Sequence, residues 1–289
     1  MRHLDDYLDK VSNLPPAPRV LTELLTLLGR DDVDSEKIVS IIALDPGLTA
    51  SVLQLANSAL LAAARPAEEL SEAVARLGFN QVFQLVAALV GGSGMAPPQP
   101  GYGIDSGELW RHSVTVAVAA QLVAEEVGDA PAIVYTAALL HDIGKIVLSE
   151  TLVQSYAALV ADTEQQQLPL IEAERRVLGT DHAEIGGRLL TRWKMPAGVV
   201  AAVTYHHAPQ EAGTHARLAA HVYVGNMLAH MMGYGCGHVP FAIHGRSEAM
   251  RILGLGEESL PKFMIATFEK LGFVEALFGA VSKSKAAKR

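Results

Sequence analysis

Apolar residues recur at spacings of three and four along almost the whole chain, and no segment sustains the period-two alternation of a half-buried strand. That periodicity makes the expected fold class all-α. Half of the 289 residues are hydrophobic and 19% are charged, which gives enough apolar material for a core and too little charge for a disordered chain. A formal net charge of -8 supplies no basic footprint, so nucleic acid is excluded as the main partner. No apolar run reaches the roughly 18 to 20 residues of a membrane span, and the opening MRHLDDYLDK has no apolar leader. The chain therefore reads as cytoplasmic with no membrane span, and its single cysteine, Cys236, fits a reducing compartment. The closing SKSKAAKR reads as a solvated basic tail.

Proline, glycine and short polar residues divide the helices. Leu14-Pro15-Pro16-Ala17-Pro18 precedes an apolar face that Gly29 ends. Asp34-Ser35 can cap the next helix, and Asp45-Pro46 closes it and opens another that runs to Asn57-Ser58. Ser71 is expected to cap 72–77, and Gly78 to separate that turn from 82–90. The segment GGSGMAPPQPGYGIDSG, residues 91–107, marks the clearest boundary. Beyond it the pattern predicts helices near 108–127, 131–148, 152–164, 170–178, 182–193, 196–206, 214–232, 247–253 and 261–278. The implied domains are an N-terminal helical part (1–95), a second helical part (96–235) and a C-terminal extension with its basic tail (236–289). Phe263, Phe268, Phe273 and Phe278 are expected to bury that extension.

The histidines carry the chemistry. His112 lies early in LWRHSVTVAVAAQLV, His141-Asp142 ends the apolar run TAALLHDIGK, His182 follows Asp181, and His206-His207 follow VVAAVTY. Imidazoles with a carboxylate and no thiolate suit iron, manganese, nickel, cobalt or zinc, and match a closed structural zinc site poorly. Lys145 is four residues from His141 and three from Asp142, so a continuing helical turn puts its ammonium beside both, where a phosphate oxygen is its natural partner. His3, His215, His221, His230, His238 and His244 read as surface or packing residues. His221 and His230, nine apart on one helix, point in opposite directions. Trp110 and Trp193 read as core anchors, and Asp181 or Glu184 as acceptors for a ligand imidazole, although starting a helix already accounts for Asp181.

These segments resemble the HD-domain metal-dependent phosphohydrolases and, more closely, the HDOD (HD-related output domain) family of bacterial signalling proteins. Leu14 to Ala59, with its LPP opening, DP turn and LANSA ending, is similar to the N-terminal half of an HDOD domain. LWRHSVTVAVAAQLVA, ALLHDIGK, DHAEIGGRLLTRWKMP and the Tyr205-His206-His207 segment resemble its second half. The resemblance implies a helical N-terminal subdomain packed on an HD-like helical bundle. It also implies one or two transition-metal ions, iron or manganese first, on His112, His141, Asp142, His182, His206, His207 and Asn226. Asn226 departs from the pattern, which has an aspartate there; a neutral amide holds a hard cation less strongly. The GYP segment of relatives that cleave cyclic dinucleotides is absent after His207. The implied role is a regulatory protein with a protein signalling partner. The alternative is an active hydrolase of a phosphoester or nucleotide, in which Asp142 bridges the cations and Lys145 steadies the transferred group.

Overall fold

The computed structural model describes residues 7–9, 23–24, 27, 35–58, 65–165, 168–235 and 246–272. The LPP segment, Gly29, Asp34, Cys236, His3, His238, His244, Phe273, Phe278 and the basic tail lie outside the described residues. Among the described residues the chain is all-α, with no strand and a single isolated bridge between Gln99 and Ile104.

Backbone packing separates two units, 18–90 with 268–289, and 1–17 with 91–267. In the first, α1 (Ser35–Ala43), α2 (Pro46–Ala56) and α3 (Leu70–Leu77) pack on one another. Asp45 caps α2, its Oδ1 accepting from the amides of Gly47 and Leu48, with Pro46 in the first turn where no amide proton is needed. The cap expected at Ser71 is not formed. α3 begins one residue earlier, after Glu69, and the Ser71 hydroxyl donates to the Glu69 carboxylate instead. The glycines at 91, 92 and 94 are also not a loop: α4 runs from Phe79 through to Met95.

The second unit holds the histidines. Its helices are α5 (Glu108–Val127), α6 (Pro131–Leu140), α7 (Ile143–Leu152), α8 (Tyr156–Val160), α9 (Leu170–Leu178), α10 (His182–Arg192), α11 (Ala197–Thr204), α12 (Ala216–Met231) and α13 (Arg246–Leu253). A further helix, α14, covers 260–272. The helix expected over 131–148 is broken at His141-Asp142, and this break turns the chain where both side chains are needed. α5 packs on α6 and α12, while α7 packs on α10, which in turn packs on α11. At the α5–α12 crossing a β-carbon on Gly225 would stand 2.7 Å from the Val116 carbonyl oxygen and 2.8 Å from the Ala120 β-carbon, so only glycine permits this approach.

Ala119, Val123, Ala220, Val224, Leu228, Ala249, Met250, Leu253, Leu260 and Phe263 form one buried cluster that seats the C-terminal helices on α5 and α12. Phe263 behaves as expected, whereas Phe268 is 66% exposed. Trp110 and Trp193 are only partly buried, which corrects their assignment as core anchors. The helical stretch 131–155 is apolar enough by length and composition to cross a membrane, contrary to the reading of the sequence. However, 83% of its 18-residue window is buried, and that burial accounts for its hydropathy.

Candidate metal centre

The candidate residues come from helix ends. His112 lies on the second turn of α5, His141 and Asp142 fill the α6–α7 break, Lys145 is in the first turn of α7, His182 opens α10, and His206 and His207 follow α11. Asp142 occupies the N-cap of α7 without capping it, so its carboxylate is free to point into the cluster. The positive end of α7 favours that charge. Asp181 does cap, accepting from the Glu184 amide at 2.8 Å, and is also bound by Arg175 at 2.7 Å.

Each carboxylate oxygen of Asp142 faces a different set of rings. Oδ2 lies 3.5 Å from His112 Nε2 and 3.4 Å from His141 Nε2, and accepts from Lys145 Nζ at 2.7 Å. Oδ1 lies 3.3 Å from His182 Nε2 and 4.0 Å from His206 Nε2. His207 Nε2 is 3.0 Å from His182 Nε2. Two donor groups result, His112–His141–Asp142 and His182–His206–His207, and within each the potential ligand atoms lie within 4.8 Å of one another.

The tautomers follow from what stands behind each ring. Nδ1 of His112, His141 and His206 bonds the carbonyl oxygens of Tyr234 (2.8 Å), Ala138 (2.7 Å) and Val203 (2.7 Å), while Nδ1 of His182 bonds Glu174 Oε2 at 2.7 Å. Those oxygens only accept, so each Nδ1 carries the proton, which leaves the neutral rings of His112, His141 and His206 an inward Nε2 lone pair, while His182 Nε2 shares a hydrogen bond with His207 Nε2. His141 Nε2 and His206 Nε2 are buried without a hydrogen-bond partner. Inward lone pairs around a carboxylate, with two nitrogens otherwise unmatched, are a donor set that could hold a cation.

Electrostatics agree. Burial holds His112 and His141 below the ordinary imidazole range, pushes His206 down to about 4, and holds His207 well below it, so these rings stay neutral and able to ligate. Burial also opposes charge on His182, but the Glu174 carboxylate outweighs it and raises that ring. Burial opposes the Asp142 charge as well, yet the Lys145 ammonium at 2.7 Å and the His182 ring hold its carboxyl well below the usual range.

A pH dependence follows for the metal-stripped protein. Rings whose folded pKa is depressed stabilise the fold fully above about 6.5 and lose that contribution as pH falls. His182 acts oppositely but is outnumbered. His206 alone, at about 4, implies a loss on the order of 2 kcal/mol between pH 6.5 and 5. Melting of the stripped protein should therefore fall by several degrees from pH 7 to pH 5; an unchanged or rising midpoint would contradict these environments.

Two residues escaped the sequence reading. Glu174, fully buried on α9, accepts from the His182 amide (2.9 Å), His182 Nδ1 and the Tyr102 hydroxyl (2.7 Å). It takes the role considered for Asp181 or Glu184; Glu184 instead accepts from Thr180. His230, read as surface or packing, has its ring centroid 5.2 Å from that of His112, matching the 5.0–5.3 Å between His112–His141, His141–His206 and His182–His206. Burial pushes its pKa down to about 3. Asn226 sits one turn earlier on α12 with Oδ1 buried and without a hydrogen-bond partner. His221 is elsewhere, bonded to Asp129 at 2.6 Å.

A profile of the HDOD domain matches residues 14–209. Among solved structures, an HDOD domain protein of unknown function from Geobacter sulfurreducens is similar at 26% identity and TM-score 0.70, covering 96% of this chain and 95% of that one. A protein provisionally named for signal transduction, from Marinobacter aquaeolei, gives 25% identity and TM-score 0.75 over 98% of this chain and 62% of that one. Another, provisionally named a phosphohydrolase, from Shewanella amazonensis, gives 25% identity and TM-score 0.67 over 96% and 97%. The chain spans 40% of the length of an uncharacterized Treponema pallidum protein, matched at 26% identity over 70% of this chain.

Proposed function

We propose, from the premise that this chain belongs to the HDOD domain family, that it is a metal-binding regulatory domain of bacterial signalling, acting through what it binds rather than through turnover. The observation that carries this reading is the set of imidazole Nε2 atoms turned onto the two oxygens of Asp142, with His141 Nε2 and His206 Nε2 otherwise unpartnered. His112, His141 and Asp142 would hold one ion and His182, His206 and His207 a second, with Asp142 shared; iron or manganese suits these donors best. A bound cation supplies Lewis acidity and charge. The chain's own residues orient the rings and largely enclose them: His112, His141, Asp142, His182 and His206 are each at most 1% exposed, and His207 is partly buried. Such enclosure suits a stable structural state whose surface a protein partner reads, and Asn226 in place of an anionic donor points the same way.

A phosphohydrolase is the second reading, favoured by Lys145. Its ammonium holds Asp142 Oδ2 at 2.7 Å and would meet an oxygen of a phosphoester or nucleotide entering beside it. Anaerobically purified protein should contain one to two equivalents of a first-row metal, and His141→Ala should hold no more than one. Screens of phosphomonoesters, nucleotides and cyclic dinucleotides with manganese or ferrous iron should show no turnover that depends on Asp142. Turnover abolished by Asp142→Ala would replace the regulatory reading with the enzymatic one. Protein without metal would defeat both.

A further inference from the structure

The two ends of the cluster differ in what stands behind them. Behind His112, His141 and His206 are neutral backbone carbonyls; behind His182 is the Glu174 carboxylate, fully buried and bonded to the ring at 2.7 Å. A carboxylate on the far nitrogen makes an imidazole a stronger donor than a carbonyl does. At the other end the positive charge is already in place, since Lys145 Nζ bonds Asp142 Oδ2, the oxygen facing His112 and His141. That ammonium competes with a cation for the same oxygen and repels it, whereas Oδ1 is the oxygen that faces His182 and His206. A buried anion at one end and a buried cation at the other bias the cluster in the same direction.

We propose that Glu174 is a positioning residue that makes the cluster fill in a fixed order, the His182–His206–His207 end first and more tightly, the His112–His141–Asp142 end second and more weakly. Tyr102 tunes that bias. Its hydroxyl donates to Glu174 Oε1 at 2.7 Å and draws charge away from Oε2, the oxygen on His182. The inference rests on the metal-binding reading above and adds to it an occupancy that responds to metal supply: one ion under scarcity, two under plenty.

The test is titration of the stripped full chain with cobalt(II), followed by visible absorption and checked by metal analysis. Wild type should bind in two steps. Glu174→Gln is the informative variant, because the amide oxygen can accept from the His182 amide and Nδ1 while its NH2 donates to the Tyr102 oxygen. Both bonds to His182 survive, the Tyr102 contact reverses its direction, and the charge is removed. This variant should weaken the first step about tenfold to a hundredfold and shift its absorption band, leaving the second step within about threefold. His207→Ala and His141→Ala give the same answer without touching Glu174: the first should lose the tight step, the second only the weak one. Equal weakening of both steps by Glu174→Gln, no change in either, or loss of the tight step in His141→Ala would overturn the proposal. Wild-type protein that takes up no cobalt would instead overturn the metal-binding reading and this order with it.

Discussion

Replacing Asp142 with alanine should reduce bound metal to less than a tenth of the wild-type content, the largest effect expected of any single substitution. Both donor groups lose an oxygen at once, because Oδ2 serves His112 and His141 while Oδ1 serves His182 and His206. Stability should suffer too. Lys145 is 6% exposed and held by Asp142, and breaking a buried pair by removing one partner costs about 3–5 kcal/mol. Asp142→Asn separates the two effects: it keeps the volume and an acceptor for Lys145, so stability should recover in part while metal content stays low. Metal analysis and thermal melting of both variants check this, and wild-type metal content in Asp142→Ala would contradict the assignment of the shared oxygen pair.

Gly144→Ala should be nearly as damaging through packing alone. A β-carbon at Gly144 would fall on the carbonyl oxygen of His182 and within 2.8 Å of the Gly186 nitrogen, where α7 crosses α10. Both obstacles are backbone, so no side chain can rotate away. The helices must separate, and overpacking of this kind costs about 3 kcal/mol or more. The same separation moves His182 away from Asp142 Oδ1, so metal content should fall together with a melting midpoint lowered by about 6 °C or more. A variant that melts within 2 °C of wild type and retains its metal would show that the two helices can part without disturbing the cluster.

The helices and the six principal candidate side chains were legible because they depend on local chemistry. Apolar spacing locates α5 and α9 to the residue, Asp45-Pro46 locates the start of α2, and histidine where an apolar helix face is expected marks His112, His141 and His206. The break between α6 and α7 was hidden, since Ile143 and Val147 continue the helical pattern across it. Glu174 left a fainter signal. It falls on the apolar stripe of α9 with Leu170, Ala173 and Val177, a position where a carboxylate needs a buried partner, but the stripe cannot say that the partner is His182 eight residues away. His230 was beyond reach because it meets His112 only through the packing of α12 on α5. The exposure of Phe268 was equally invisible, since a phenylalanine records a preference for burial and not the neighbour that provides it.

Anomalous diffraction from crystals of anaerobically purified protein, recorded across the iron and manganese edges, bears most directly on the inward-facing histidines. A peak is expected between the Nε2 atoms of His182, His206 and His207 on the Oδ1 side of Asp142, with a second at higher metal supply on the Oδ2 side. Clear density for the same side chains with no anomalous peak on either side, in protein soaked with manganese or ferrous iron, would contradict this expectation.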